Sequence, residues 1–202
     1  MENENKEVVN TEEVKTEEVK APRAEKRTRR DFKRNQNKRE VRKSPYEEKV
    51  ISISRVSKTT KGGRTIRFSA TVAVGDRKGK VGLGTGKANE VPEAISKALK
   101  AAEKNVITVN LVEGRTLSHE VIGTCGAAKV LIKPAKAGSG IIAGGPVRNV
   151  LELAGVKDIV SKSLGSNTQI NTAKAAMNAL KAQRSAEHIA TLRGKTVEEI
   201  LG

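Results

Sequence analysis

The stretch "RTIRFSATVAVGDRKGKVGLGT", residues 64–85, carries the pattern that decides the fold. Ile66, Phe68, Ala70, Val72 and Val74 alternate with Arg67, Ser69 and Thr71, and the alternation resumes through Val81 and Leu83. A period of two sends successive side chains to opposite faces of a strand, so two strands with one buried face are expected. The glycine-bearing "GDRKG" between them reads as a hairpin turn. Upstream, "KVISISRVS" is strand-like and is joined through "KTTKGG", a second hairpin turn. Downstream, "NEVPEAISKALKAAEKN" switches to helical spacing. Val91, Ile95, Ala98, Leu99 and Ala102 share one face there, while Glu93, Lys97, Lys100 and Lys104 point outward. Pro92 suits the first helical turn, which either Asn89 or Glu90 can cap. Residues 46–110 therefore read as a β-β-β-α domain whose helix covers the apolar face of an antiparallel sheet. One layer of helix leaves the other sheet face to solvent or to a partner.

Residues 111–202 read as a second domain. "NVITVNLV", "TLSHEVIG", "AAKVLIKP" and "DIVSKSLG" have strand character. The glycine-rich "AKAGSGIIAGG" feeds a short helix with Pro146 near its start, Val147, Val150, Leu151 and Ala154 inward, and Gly155 at its end. "NTQINTAKAAMNALKAQ" is a helix with Ile170, Ala173, Ala176, Met177 and Leu180 on one stripe, and "TVEE" has the form of a capping box, Thr196 with Glu199. Strands alternating with helices make this second domain α/β or α+β, packed in two layers, and the whole chain α+β.

The remaining 45 residues at the start have too few apolar side chains to offset the entropy of ordering, so a disordered charged tail is expected over 1–45. Residues 1–20 hold a tandem "TEEVK" and seven acidic against three basic residues; residues 23–43 hold eleven basic against three acidic. The basic part is available either to RNA or to the acidic part.

Across 202 residues the chain has 39 Lys and Arg against 23 Asp and Glu, a net charge of +16. Self-repulsion of this size implies a polyanionic partner. Nucleic acid is the default, with a membrane surface as the rival. No apolar run approaches the roughly 18 residues of a spanning helix. The helices present alanine and small aliphatics rather than the bulky apolar face of an interfacial helix. The acidic start is no signal peptide, and a cytoplasmic protein is expected. Two Phe, one Tyr and no Trp argue against stacking of unpaired bases, so phosphates and shape must supply most of the binding.

Two motifs mislead. In "GKVGLGTGKA" the count back from Gly86-Lys87 puts Val81 where a phosphate loop needs its first glycine, and Ala88 replaces the metal-binding hydroxyl. Gly82, Gly84 and Gly86 lie within a strand, where they allow another backbone to approach closely. His119, His188 and Cys125 lack the spacing of a metal or catalytic set, and no Gly-x-Ser-x-Gly elbow occurs. Cys125 is expected to pack as a small hydrophobe. No catalytic residue, metal or cofactor is implied.

The first hairpin turn is where the charge concentrates. Its glycines, Gly62 and Gly63, suit a turn that needs positive φ. The turn does not explain Arg55, Lys58, Lys61, Arg64 and Arg67 around them, nor Lys87 nearby. They read as a flexible basic finger that neutralises phosphates while its glycines let the backbone come close. A second cluster, Lys129, Lys133, Lys136 and Arg148, surrounds the "AGSGIIAGG" loop, and the following helix N-terminus is placed either to face an anion or simply to connect strand to helix.

"VSKTTKGGR", "GKVGLGTGKA" and "AGGPVRNVLELAGV" are long, specific motifs, and with their surroundings the chain from about Glu47 to Leu201 resembles the universal fifth protein family of the small ribosomal subunit. The resemblance implies an N-terminal domain related to the double-stranded-RNA-binding fold. It also implies a C-terminal two-layer α/β domain with a left-handed βαβ crossover, on a bacterial-type ribosome. It implies binding to small-subunit ribosomal RNA without catalysis, a place at the messenger RNA entry channel, and contacts with the fourth and eighth small-subunit proteins. The loop matching Lys58 to Arg64 would reach RNA beside the spectinomycin pocket, with resistance expected from changes at Lys61, Gly62 and Gly63. The region around Lys129 would face the fourth protein and bear on decoding accuracy. The long charged N-terminal segment departs from the family pattern.

Overall fold

The structure, a computed structural model, describes residues 45–201, so all but the last residue of the charged tail expected over 1–45 lies outside the described residues. The alternating stretch forms the strands it dictates: β1 (Glu47–Thr60), β2 (Gly63–Gly75) and β3 (Lys80–Ala88) in one antiparallel meander. Helix α1 (Val91–Lys104) follows, with Pro92 in its first turn and Glu90 as the N-terminal flanking residue; the Glu90 side chain makes no capping hydrogen bond. A short fourth strand, β4 (Val106–Thr108), then pairs with β3. Here the structure departs from the expectation that "NVITVNLV" opens the second half. Its first residues complete the first sheet, in the order β1-β2-β3-β4.

Residues 121–163 build a second sheet from β5 (Val121–Cys125), β6 (Ala128–Pro134), β7 (Ile141–Ile142) and β8 (Ile159–Ser163), in the order β5-β6-β8-β7. Of "TLSHEVIG" only the end is strand. β7 runs parallel to β8, and helix α2 (Gly145–Ala154) makes the crossover between them. α2 buries Val147, Val150, Leu151, Leu153 and Ala154 and ends at Gly155 with φ +86°. Helix α3 (Gln169–Ala182) packs against β5 and β6, burying an alanine-rich stripe. Two short helices close the chain, α4 (Ala186–Arg193) and α5 (Val197–Leu201). α4 has no counterpart among the sequence expectations; only Ala190 of it is buried, so it carries almost no apolar stripe to read. Its N-terminus is capped by the Ser185 hydroxyl, which accepts from the His188 amide.

Two helix layers act on β2. On one face Ala70 and Val72 join Ala88 of β3 against Ala94 and Ala98 of α1. On the other face Ala73, with Val81 and Leu83 of β3, enters a larger cluster containing Leu151 and Leu153 of α2, Val130 and Ile132 of β6 and Ala176 of α3. The lower part of the first sheet is therefore covered on both faces, and the partner expected for its second face is the rest of the same chain. Strand alternation disappears where this happens, since residues 69 to 75 are all buried.

The glycines of "GKVGLGTGKA" explain how α1 sits so close. A Cβ on Gly82, Gly84 or Gly86 would lie 2.4, 2.2 or 2.4 Å from the carbonyl oxygens of Ala102, Ala98 and Ala94. Alternate residues on the strand meet every fourth residue on the helix, backbone to backbone. The motif is a packing seam, as its misfit to a phosphate loop suggested.

Candidate nucleic-acid interface

β3 stops short of the first hairpin. Its last residue, Ala88, pairs with Phe68, and beyond that point β1 and β2 continue alone from Arg55↔Phe68 to Thr60↔Gly63. The result is a two-stranded ribbon projecting about 17 Å past the sheet, at about 3.4 Å per residue. "KTTKGG" is thus not a loop. Strand pairing runs to the tip, leaving Lys61 and Gly62 as the whole turn, with the Thr60 hydroxyl donating to the Gly63 carbonyl at 3.2 Å. Positive φ falls on Gly63, at +141°, and not on Gly62. The finger is a paired ribbon rather than a flexible loop.

Register assigns the cations to faces. Residues directly opposite share a face, and the pairs Lys58↔Thr65, Val56↔Arg67 and Ser69↔Lys87 put Lys58, Arg67 and Lys87 together. They border a shallow concavity with Val56 and Thr65 between them. The pairs Arg55↔Phe68 and Thr59↔Arg64 put Arg55 and Arg64 on the opposite face. Lys61 stands at the tip. All six side chains are exposed, and none has a carboxylate partner among the described residues. Between Glu48 and Asp76 the sequence contains no acidic residue at all.

The second cluster is arranged differently. Lys133 is paired with Glu120 at 2.9 Å, and Arg148 with Glu152 at 2.8 Å. Glu152 also holds Lys49 of β1, and these two cations, Lys49 first, keep its carboxyl below the usual glutamate range. Lys129 and Lys136 are exposed with no such partner among the described residues. Two amides of the glycine loop are already taken from within the chain. Asp158, its side chain 4% exposed, accepts from the Gly138 amide at 2.9 Å and the Gly140 amide at 3.0 Å, and Arg115 bonds its other oxygen at 3.0 Å. The Gly140 amide, then Arg115 and the Gly138 amide, hold this carboxyl below its ordinary value against the effect of burial. An internal carboxylate thus takes the Gly138 and Gly140 amides, while the helix N-terminus at Gly145 lies outside that contact. Asp158 was missed in the sequence because a lone Asp after a helix has no spacing that marks it.

The other candidates stay apart. Cys125 packs half-buried against the core at the end of β5, as expected of a small hydrophobe. His188 lies 3.0 Å from Arg184 on α4. Among the described residues no helix is long and apolar enough to cross a membrane.

Comparison with known proteins fits this geometry. Residues 46–110 match the N-terminal domain of ribosomal protein S5, and residues 123–193 match its C-terminal domain. The chain belongs to the ribosomal protein S5 family. It is 57% identical over 158 residues to the small ribosomal subunit protein uS5 of Mycoplasmoides gallisepticum, a match covering 78% of this chain and 70% of that protein. An S5-family chain is a structural constituent of the small ribosomal subunit, not an enzyme, and the unpaired cations of the ribbon lie inside the first matched domain.

Proposed function

We propose that this S5-family chain binds small-subunit ribosomal RNA by inserting the ribbon of residues 55–67 between two stretches of RNA backbone. The carrying observation is the placement of unpaired cations on both faces: Lys58, Arg67 and Lys87 on one, Arg55 and Arg64 on the other, Lys61 at the tip. A ribbon lying flat on RNA would need them on one face only. Paired strands also fix the backbone before binding, so less ordering entropy opposes the contact than for a loose finger. Residues 46–110 and 111–202 act as the two domains of this reading, joined through one shared core.

The test is the salt dependence of binding to a transcript of small-subunit ribosomal RNA. Each lost phosphate contact lowers the slope of log K against log salt by about 0.7 to 0.9. Lys58→Ala with Arg67→Ala should weaken binding and flatten that slope by about 1.5, with no change in Tm. An unchanged slope would remove the ribbon from the interface.

Finer roles follow from the family. The ribbon tip lies beside the spectinomycin site of a bacterial-type ribosome, so Gly62→Val should alter the response of cells to that antibiotic while subunits still assemble. The exposed face of the second sheet supports contact with another ribosomal protein, the fourth or the eighth. There Ile122 stands opposite the half-buried Leu131, and Val160 opposite Ile142, with Lys129, Lys133 and Lys162 on the same face among them. Lys136 and the ion-paired Lys133 and Arg148 contribute to RNA binding less than the ribbon does. Placement at the messenger RNA entry channel and an effect on decoding accuracy belong to the same reading.

A further inference from the structure

We infer that the RNA-binding surface continues from the base of the ribbon along β3 into a groove beside α3, where Lys174 and Lys181 hold a second stretch of RNA backbone. The inference rests on the ribbon being an RNA finger and extends that surface to residues of the C-terminal half. Lys87 is the last cation of the ribbon's concave face. Thr85, two residues back on β3, shares its face about 7 Å away and forms the lip of the groove. The groove has a volume of about 500 Å³. Leu83, Ile107 and Met177 give it an apolar lining, and Asn105, Asn178, Lys174 and Lys181 give it polar edges. The Asn178 amide is pinned by donating to the Thr124 carbonyl at 2.8 Å.

Three features select a sugar–phosphate backbone as the occupant. None of the residues lining the groove is acidic, so nothing offsets its positive potential or would receive a basic peptide. Lys174 and Lys181 are exposed, lack a carboxylate partner among the described residues, and stand seven residues apart on the same side of α3. Seven residues rise about 10 Å along a helix, a separation suited to two phosphates of one strand rather than to one small anion. Met177 lies midway between them, a flexible apolar surface against which a ribose can pack.

The experiment compares wild type, K58A/R67A and K174A/K181A as full chains against the same ribosomal RNA transcript, by filter binding over a salt series and by hydroxyl-radical footprinting. K174A/K181A should lower the salt slope by about 1.5. It should lose backbone protections distinct from those lost in K58A/R67A. Its Tm should stay unchanged, since alanine at exposed helix positions favours the helix. Wild-type affinity and protections in K174A/K181A, beside a loss in K58A/R67A, would overturn the groove assignment and leave the ribbon reading intact. No loss in either would overturn both. Normal RNA binding by K174A/K181A with failure to co-sediment with small subunits would also overturn it, by showing that a protein fills the groove.

Discussion

Strand β2 has a hairpin at each end, and the two are built for opposite purposes. At its far end, the turn of Asp76 to Gly79 is tied down from every side. The Asp76 carboxylate accepts from the amides of Lys78 and Lys80 at 2.7 and 2.9 Å, while the Arg77 and Gly79 amides donate to the last carbonyls of α2, Leu153 and Ala154, at 3.0 Å each. At its near end, the turn at Lys61 and Gly62 stands free of the other described elements, and no described atom beyond the chain neighbours lies within 4 Å of a Cβ built on Gly62 or Gly63. One hairpin closes the internal junction between the two sheets. The other ends, among the described residues, in open space with cations that no carboxylate answers. Among the described residues, charge without a partner is the observation on which the proposed RNA contact of this end rests.

The largest effects should come from crowding the close-packed backbone, at the β3–α1 seam and at the tied end. Gly84→Ala would set a methyl 2.2 Å from the Ala98 carbonyl and 2.3 Å from the Ala102 amide, both rigid helix backbone. α1 must shift off the sheet, at a cost of about 3 kcal/mol, seen as a fall in Tm of about 6–12 °C. Gly155→Ala combines a φ of +86° with a methyl 2.2 Å from the Arg77 carbonyl and should cost as much. A Tm within 2 °C of wild type in either variant would mean that the seam is looser than its distances.

Those glycines also show what a sequence can and cannot disclose. Gly82, Gly84 and Gly86 alternate within a strand and precede alanines four apart on a helix, so the seam was legible as close backbone approach. β1 to β3 and α1 were legible from periodicity because their partners are local. The second covering of β2 was not, because Ala73 is buried in a cluster with α2, some 80 residues later, and small residues carry no sign of which side they bury. The ribbon's cations were legible as a cluster, but their division between faces depends on register, which shifts by a bulge between Val50 and Ser52. Lys133 and Arg148 looked equivalent to the ribbon cations until Glu120 and Glu152 were found beside them.

Asp158 gives an intermediate effect with a definite sign in pH. Its carboxyl sits below the ordinary value of 3.8, so the stability it contributes is present above that pH and is lost as pH falls through its lower folded value. Asp158→Asn should therefore have a lower Tm than wild type at pH 7, and the two should converge as pH drops below about 4. A gap that stays constant down to pH 3 would mean that shape, and not the negative charge facing Gly138, Gly140 and Arg115, holds this loop. The comparison sharpens here too: this loop's anion is internal, whereas the ribbon's cations face no carboxylate among the described residues.

The smallest structural effects belong to the open end, and there they say most about function. Gly63, at φ +141°, should lose about 1 kcal/mol as alanine, a fall of about 2–4 °C in Tm. Gly62 has neither a left-handed φ nor a neighbour within 4 Å, so Gly62→Ala should leave Tm unchanged. Nothing among the described residues then accounts for glycine at position 62. The proposed insertion into RNA would account for it, because a methyl at the tip would stand between Lys61 and a phosphate of the proposed contact. Gly62→Ala should accordingly weaken binding to the ribosomal RNA transcript at constant Tm, the reverse of what Gly84→Ala does to the seam. Weakened folding in Gly62→Ala would return that glycine to the turn; intact folding with intact binding would leave the tip without an RNA contact.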